Sequence, residues 1–318
     1  MIGMNNKEYR PTLSQLRTFV TIAENKHFGT AATKLGISQP SLSQALVALE
    51  QGLGIQLIER STRRVIVTPA GEELLPYAKT TLDAADAFLA HSRGTHGTLI
   101  GPLTVGIIPT IAPYVLPGLL TATSTQYPEL EPRIVEDQTR NLVQMLRDGQ
   151  IDLAVMALPS ETTGVAEVPL YTEDFTVVVP EDHALAGRED LGLSDLDELD
   201  LLLLDDGHCL HDQIVDLCRK ADLNPTEAAN SVTRASSLTT IMQLVAAGLG
   251  ATLVPESAVP TECRRPGVAT ATFRDDVTAQ RQIGLVYRNS SSRAEEFHLL
   301  GELTTAAYHE ALALPAEA

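Results

Sequence analysis

The spacing of apolar residues changes its period once along this chain, and that change constrains the fold most. Up to about residue 92, apolar residues recur at helical spacing, broken only by one hairpin-like stretch at 57–68. Beyond residue 98, short β-type apolar runs alternate with helical ones. Between them, His91-Ser92-Arg93-Gly94-Thr95-His96-Gly97-Thr98 reads as a hinge. A chain of 318 residues also exceeds what one core usually covers, so separate modules are expected on both counts.

The first module starts at Thr12-Leu13-Ser14, with Leu13, Leu16, Phe19, Val20 and Ala23 on one helical face. A short Ala-rich helix follows over 29–35 and stops at Gly36. Ser38-Gln39-Pro40-Ser41 then supplies an N-cap serine and a proline in the first turn, ahead of Leu42, Ala45, Leu46 and Leu49. Two short helices joined by a glycine-containing turn, the second with a polar N-terminus, predict a helix-turn-helix. Residues 57–68 add a hairpin with a basic tip, a wing. Thr68-Pro69 restarts a helix whose stripe Leu74, Leu75, Ala78, Leu82, Ala85 and Leu89 wants a partner, which predicts an oligomer. The expected divisions are 1–68, a linker helix over 69–93, and a regulatory part over 98–318.

In the regulatory part, strands are expected at 103–108, 134–136, 151–158, 175–179, 201–204, 250–254 and 283–287. Helices are expected at 114–127, 140–148, 211–221, 237–247 and from 292 onward. This alternation predicts an α/β fold with a parallel sheet. The chain crosses to a second lobe near 171 and returns near 275, giving lobe I (98–170 and 275–318) and lobe II (171–274). Two lobes with two crossings suggest a ligand cleft.

The net charge of −18 conceals a local excess of the other sign. Residues 1–66 hold eight Lys/Arg (7, 10, 17, 26, 34, 60, 63 and 64) against four acids, a net of +4. The remaining 15 basic and 37 acidic residues leave −22. A basic helix-turn-helix on an acidic body fits a double-stranded DNA partner. No run of about 18 apolar residues exists, so no transmembrane helix and no membrane partner are expected. Met1–Glu8 lacks a signal-peptide apolar region, and three cysteines cannot build a secreted disulfide framework, so a cytoplasmic protein is expected.

Together with this architecture, Phe28-Gly29-Thr30-Ala31-Ala32, Ser38-Gln39-Pro40-Ser41-Leu42-Ser43 and Leu57-Ile58-Glu59-Arg60 resemble the LysR-type transcriptional regulators over essentially the whole chain. The resemblance implies a winged helix-turn-helix, a dimerising linker helix and a periplasmic-binding-protein-like regulatory domain. It also implies a homotetramer, a dimer of dimers, on promoter DNA, with RNA polymerase a candidate partner. Gly207-His208-Cys209-Leu210-His211-Asp212-Gln213, with Cys218 nine residues after Cys209, looks like the redox segment of the family's peroxide-sensing branch. Residues 281–288 resemble that branch too. The likeness implies a peroxidatic Cys209, a resolving Cys218, hydrogen peroxide as effector, and Thr110 and Thr139 as its hydroxyl contacts. Where that branch often has an arginine, this chain has His211.

The residues themselves support part of this. A reactive thiolate is favoured by a helix N-terminus and nearby cations. Cys209 falls at or just before the start of a helix, with His208, His211 and Arg281 as candidate cations and Asp212 beside them. Cys263 has no matching role. On DNA, Ser38, Gln39, Pro40, Ser41, Ser43 and Gln44 suit position and base edges, while Arg60, Arg63 and Arg64 suit phosphates. No cofactor or metal is expected. Three other readings remain open: a thiol peroxidase, a metal sensor using His208, Cys209, His211 and Cys218, and a regulator of this family answering to a small organic effector. The expected protein is a regulator rather than an enzyme.

Overall fold

The computed structural model describes residues 9–60, 65–92, 98–220 and 235–313, and they form two compact units. The first is built on α1 (Leu13–Asn25), α2 (Phe28–Leu35), α3 (Gln39–Leu53), the hairpin β1 (Ile58–Arg60) and β2 (Val65–Val67), and α4 (Pro69–Ser92). Local chemistry sets the helix ends. Thr12 and Gln15 form a reciprocal capping box at α1, and Ser38 caps α3 through the Ser41 amide. Gly36 and Gly54, both with positive φ, close α2 and α3. Phe19, Ile22, Ala31, Leu42, Leu46, Leu49, Leu57 and Ile58 make the core. Gly71 is required where α4 meets the wing: a Cβ there would sit 2.3 Å from the Leu57 carbonyl oxygen.

The apolar stripe of α4 is largely covered within the chain. Ala78 and Leu82 are buried in this core, with Leu74 and Leu75 packed against it. The stripe wanted a partner, and α1 is that partner. The Leu89 side chain lies outside the described residues. A different face of α4 remains open, where Tyr77 is 69% and Phe88 73% exposed.

The second unit holds β3 (Gly101–Ile107), α5 (Ala112–Gln126), β4 (Leu130–Glu136), α6 (Thr139–Arg147), β5 (Leu153–Leu158), β6 (Val165–Pro180) and α7 (Cys209–Lys220). It continues through α8 (Leu238–Ala246), β7 (Thr252–Pro255), α9 (Val259–Glu262), β8 (Val268–Ala271), β9 (Gln280–Arg288) and α10 (Ala294–Leu312). One path of pairing, β4-β3-β5-β9-β6-β7, runs through both lobes, and β8 joins β6. Each lobe has its own apolar cluster, one around Leu103, Ile107, Val155, Leu285 and Phe297, the other around Val177, Leu202, Ile214, Met242 and Val254.

The expected parallel sheet is only partly present. β4, β3 and β5 are parallel, but β9 runs antiparallel to β5 and β6, and β7 and β8 run antiparallel to β6. Apolar periodicity reports burial and carries no information on strand direction. The expected strand at 201–204 is also absent. Leu201 and Leu204 make only isolated parallel bridges, to Ala251 and Ala235. The two crossings are the two long strands: β6 pairs with β9 up to Asp174 and with β7 from Phe175, and β9 brings the chain back.

Candidate functional site

Arg281 on β9 and Glu173 on β6 face one another in register where these crossing strands change partners. Both are almost completely buried. The Arg281 Nε donates to Glu173 Oε1 at 2.9 Å, Nη2 lies 2.7 Å from the same oxygen in the ion pair, and Glu173 Oε2 accepts the Ser257 amide at 3.2 Å. The rest of the guanidinium reaches the loop after β3, where Nη1 donates to Thr110 Oγ1 at 2.8 Å and Nη2 to the Thr110 carbonyl at 3.0 Å. An arginine can only donate, so Thr110 Oγ1 accepts there and keeps its own proton free. That hydroxyl faces the Cys209 sulfur and favours its thiolate.

Cys209 is the first residue of α7, entered through a turn at Asp205-Asp206-Gly207 in which Gly207 takes φ +99°. Gly207 has a second constraint, since a Cβ would meet Gln138 Oε1 at 2.6 Å. The close approach brings the 137–139 loop of lobe I onto the start of α7. Cys209 packs against the lobe I core while Leu210, Ile214, Leu217 and Cys218 of the same helix enter the lobe II core. The Thr139 hydroxyl lies near enough to the sulfur to favour its thiolate, yet makes no hydrogen bond of ordinary geometry. Gln213 Oε1, one turn along α7, is likewise buried without a partner. Leaving such atoms unpaired costs about 1–3 kcal/mol each, a cost relieved by a small ligand that both donates and accepts.

Burial pushes the Cys209 thiol above its ordinary range, against the pull of Arg281 and of the two threonines, with Asp212 adding a smaller push upward. The expected cations therefore reduce to one. His208 is buried, and burial lowers its pKa, so it is neutral at pH 7 and its Nδ1 has no partner. His211 points back instead, its Nδ1–H donating to the Leu204 carbonyl at 2.8 Å. Cys218 is buried and free, nine residues along α7, and burial raises its thiol also. Cys263 sits apart between Glu262 and Arg265, its thiol pushed up to about 12 by burial. Among the described residues, no three His, Cys, Asp or Glu side chains gather as a metal ion requires.

Glu173 was not among the expected site residues, and neither were Gln138 and Ser257. A signal for Glu173 exists: in Tyr171-Thr172-Glu173-Asp174-Phe175 it shares the inward parity of Tyr171 and Phe175.

In the first unit, Ser38, Gln39, Pro40, Ser41 and Gln44 lie exposed at the start of α3, and Ser43 is half-buried. The Ser38 and Ser41 hydroxyls are 2.8 Å apart, so both take part in the cap as well as facing outward. Ser43, Gln44, Val47, Ala48 and Gln51 line a shallow open groove on the same helix. Arg60 lies in β1, while Arg63 and Arg64 fall outside the described residues.

Two family models match this chain: a bacterial regulatory helix-turn-helix protein of the lysR family over residues 13–72, and a LysR substrate binding domain over 96–307. The chain belongs to the LysR family. Within that family the likeness is to OxyR. A "Probable hydrogen peroxide-inducible genes activator" of Mycobacterium leprae is 48% identical over 310 residues, 96% of this chain and 98% of that protein. A cysteine-to-serine mutant of Corynebacterium glutamicum OxyR, described as H2O2-bound, is 70% identical with a TM-score of 0.70, over 97% of this chain and 96% of that one. The oxidized form of the same OxyR is 69% identical with a TM-score of 0.62, over the same shares. LysR membership accounts for the winged helix-turn-helix and the two-lobed domain together. No helix among the described residues is long and apolar enough to cross a membrane.

Proposed function

We propose that this protein is a hydrogen peroxide-responsive transcription regulator whose DNA-binding state is set by reversible oxidation of Cys209 and Cys218. The observation that carries this reading is the surroundings of Cys209: a helix-initiating thiol between two threonine hydroxyls and a buried arginine, with a second thiol on the same helix. The Cys209 thiolate attacks one peroxide oxygen, the O–O bond breaks, and the departing hydroxide takes a proton to leave as water. Thr110, whose acceptor side is occupied by Arg281, donates toward the reacting atoms, and Thr139 supplies a further hydroxyl. The resulting Cys209 sulfenic acid condenses with the Cys218 thiol, releasing a second water and forming the disulfide.

That last step demands a rearrangement. Nine residues of intact α7 hold the two Cα atoms roughly 13 Å apart, whereas a disulfide needs about 4.4–6.8 Å. Oxidation must unwind α7 and withdraw Leu210, Ile214 or Leu217 from the lobe II core, where each contributes about 1.5–3 kcal/mol. The unwinding opposes the disulfide and keeps it reducible by cellular thiols. It also supplies a two-state element by which oxidation reaches the DNA-binding unit.

The protein acts on double-stranded promoter DNA as a homo-oligomer, a dimer of dimers, with RNA polymerase as a further partner. It works in the cytoplasm, without a cofactor, as a regulator rather than an enzyme. The open Tyr77–Phe88 face of α4 supports self-association, and light scattering at micromolar concentration tests it. Footprinting on its own promoter region, with and without micromolar peroxide and then with a thiol reductant, tests the function. A footprint indifferent to peroxide would leave the organic-effector reading in its place.

A further inference from the structure

Among the described residues, Arg281 is the one buried cation at this site, and two anions can claim it. Glu173 is the larger electrostatic partner, and the Cys209 thiolate is the next. Asp212 is the carboxylate that acts on Cys209 directly, from the sulfur's own helix. Tyr171 on β6, Tyr114 on α5 and Tyr308 on α10 surround the pair, and burial drives all three phenols above their ordinary range. They are neutral at pH 7 and cannot balance the arginine. Tyr114 donates to the buried Glu262, which is paired with Arg265, and Tyr308 donates to Glu256. Among the described residues, Arg281 and Asp212 are the charges that bear on the sulfur, and Glu173 bears on it through Arg281. Resting on the peroxide-sensing reading above, we propose that Glu173 is a positioning residue of the site that competes with the Cys209 thiolate for Arg281.

Glu173 accepts from Arg281 on one carboxylate oxygen and from the Ser257 amide on the other. Only a carboxylate accepts on both sides; an amide in its place turns a donor toward either the arginine or the Ser257 N–H. The same grip presents Nη1 to Thr110, so Glu173 also fixes which way the Thr110 hydroxyl donates. Loss of the carboxylate leaves a buried guanidinium whose remaining counter-ion is the Cys209 thiolate, and a buried cation favours the ionised form of its nearest acid. Glu173 therefore restrains Cys209, and its strength of grip sets how much thiolate is present at a given pH.

The test is the pH dependence of Cys209 alkylation by iodoacetamide in the reduced full-length protein, read by mass spectrometry of the Cys209 peptide. Glu173→Gln is expected to move the midpoint down, with alkylation below the wild-type midpoint faster by about threefold or more. Glu173→Asp, which keeps the charge but retracts it, is expected to fall between the two, and it serves should the glutamine variant not fold. Arg281→Gln should move the midpoint up, and adding Glu173→Gln to it should produce no further downward shift. An unmoved or higher midpoint in folded Glu173→Gln or Glu173→Asp would overturn the proposal. So would an equal downward shift when Arg281 is already gone. Alkylation involves neither peroxide nor DNA. Failure of the sensing reading would show separately, as no Cys209–Cys218 link in peroxide-treated wild-type protein.

Discussion

The two candidate sites of this molecule are built on opposite principles. At the start of α3, polar side chains stand exposed, and apart from the Ser38–Ser41 cap water can take the place of what a substitution removes. Around Cys209 the groups are buried and interlocked: Ser257 holds Glu173, Glu173 holds Arg281, Arg281 holds Thr110, and Thr110 faces the sulfur. Burial makes each role exclusive, because a buried polar group has few alternative partners and no bulk water to replace one. The exposed site should therefore lose function gradually, and the buried site abruptly.

The sharpest test of that contrast is Cys209→Ser. It removes the nucleophile and little volume, so a folded, DNA-binding protein with no peroxide-dependent change in footprint is expected. A mutant that still switches would move sensing elsewhere, to Cys263 first. Next in size is the rearrangement itself. Peroxide-treated wild type should carry a Cys209–Cys218 link, and hydrogen exchange over residues 207–220 should rise as α7 opens. An intramolecular link with unchanged protection there would break the strained-switch mechanism.

How legible each site was in the sequence follows the same division. Ser38, Gln39, Pro40 and Ser41 announce themselves because a cap, a first-turn proline and the polar start of a helix are local features. The start of α7 at Cys209 was legible for the same reason. Of the groups that other elements bring to Cys209, only Arg281 was legible in the residues themselves, as a candidate cation. Thr110 and Thr139 came from family resemblance alone, and Glu173 is bonded to a residue 108 positions away. Its inward parity was visible, but a carboxylate on a buried strand face runs against the usual burial of residue types. His208 was misjudged as a cation because its burial depends on how the 205–208 turn packs.

A smaller effect is expected from Thr139→Val. The change removes a hydroxyl that favours the thiolate, so the Cys209 midpoint, already above the ordinary thiol range, rises further. Below both midpoints the thiolate fraction falls tenfold per pH unit, so the deficit in peroxide oxidation rate persists through neutral pH and narrows only in alkali. The Thr139 hydroxyl makes no hydrogen bond of ordinary geometry, so a slowing of about threefold is expected. That is short of what loss of a full bond to a charged group, about 1.5–3 kcal/mol, would give. A stopped-flow rate series across pH checks both sign and size. An unchanged rate would show that Thr139 does no more than start α6.

Effects of similar size belong to the exposed site, and there the separation of roles is the point. Arg63→Ala with Arg64→Ala removes two positive charges from the sequence between β1 and β2, and phosphate contacts carry no sequence information. Binding to specific and random DNA should weaken alike, and the slope of log affinity against log salt should flatten by about 2, near 0.9 for each phosphate lost. Gln39 is different, because it stands exposed in the first turn of α3, where a side chain can read a base edge. Gln39→Ala should leave affinity for random DNA and its salt slope unchanged. It should narrow the ratio of specific to random binding by about fivefold, the lower end of what one good base contact supplies. Titrations of both variants at two salt concentrations on both DNAs separate these outcomes. If the two variants changed specific and random binding by the same factor, the division between α3 and the wing would fail, and the exposed site would have to be treated as coupled, like the buried one.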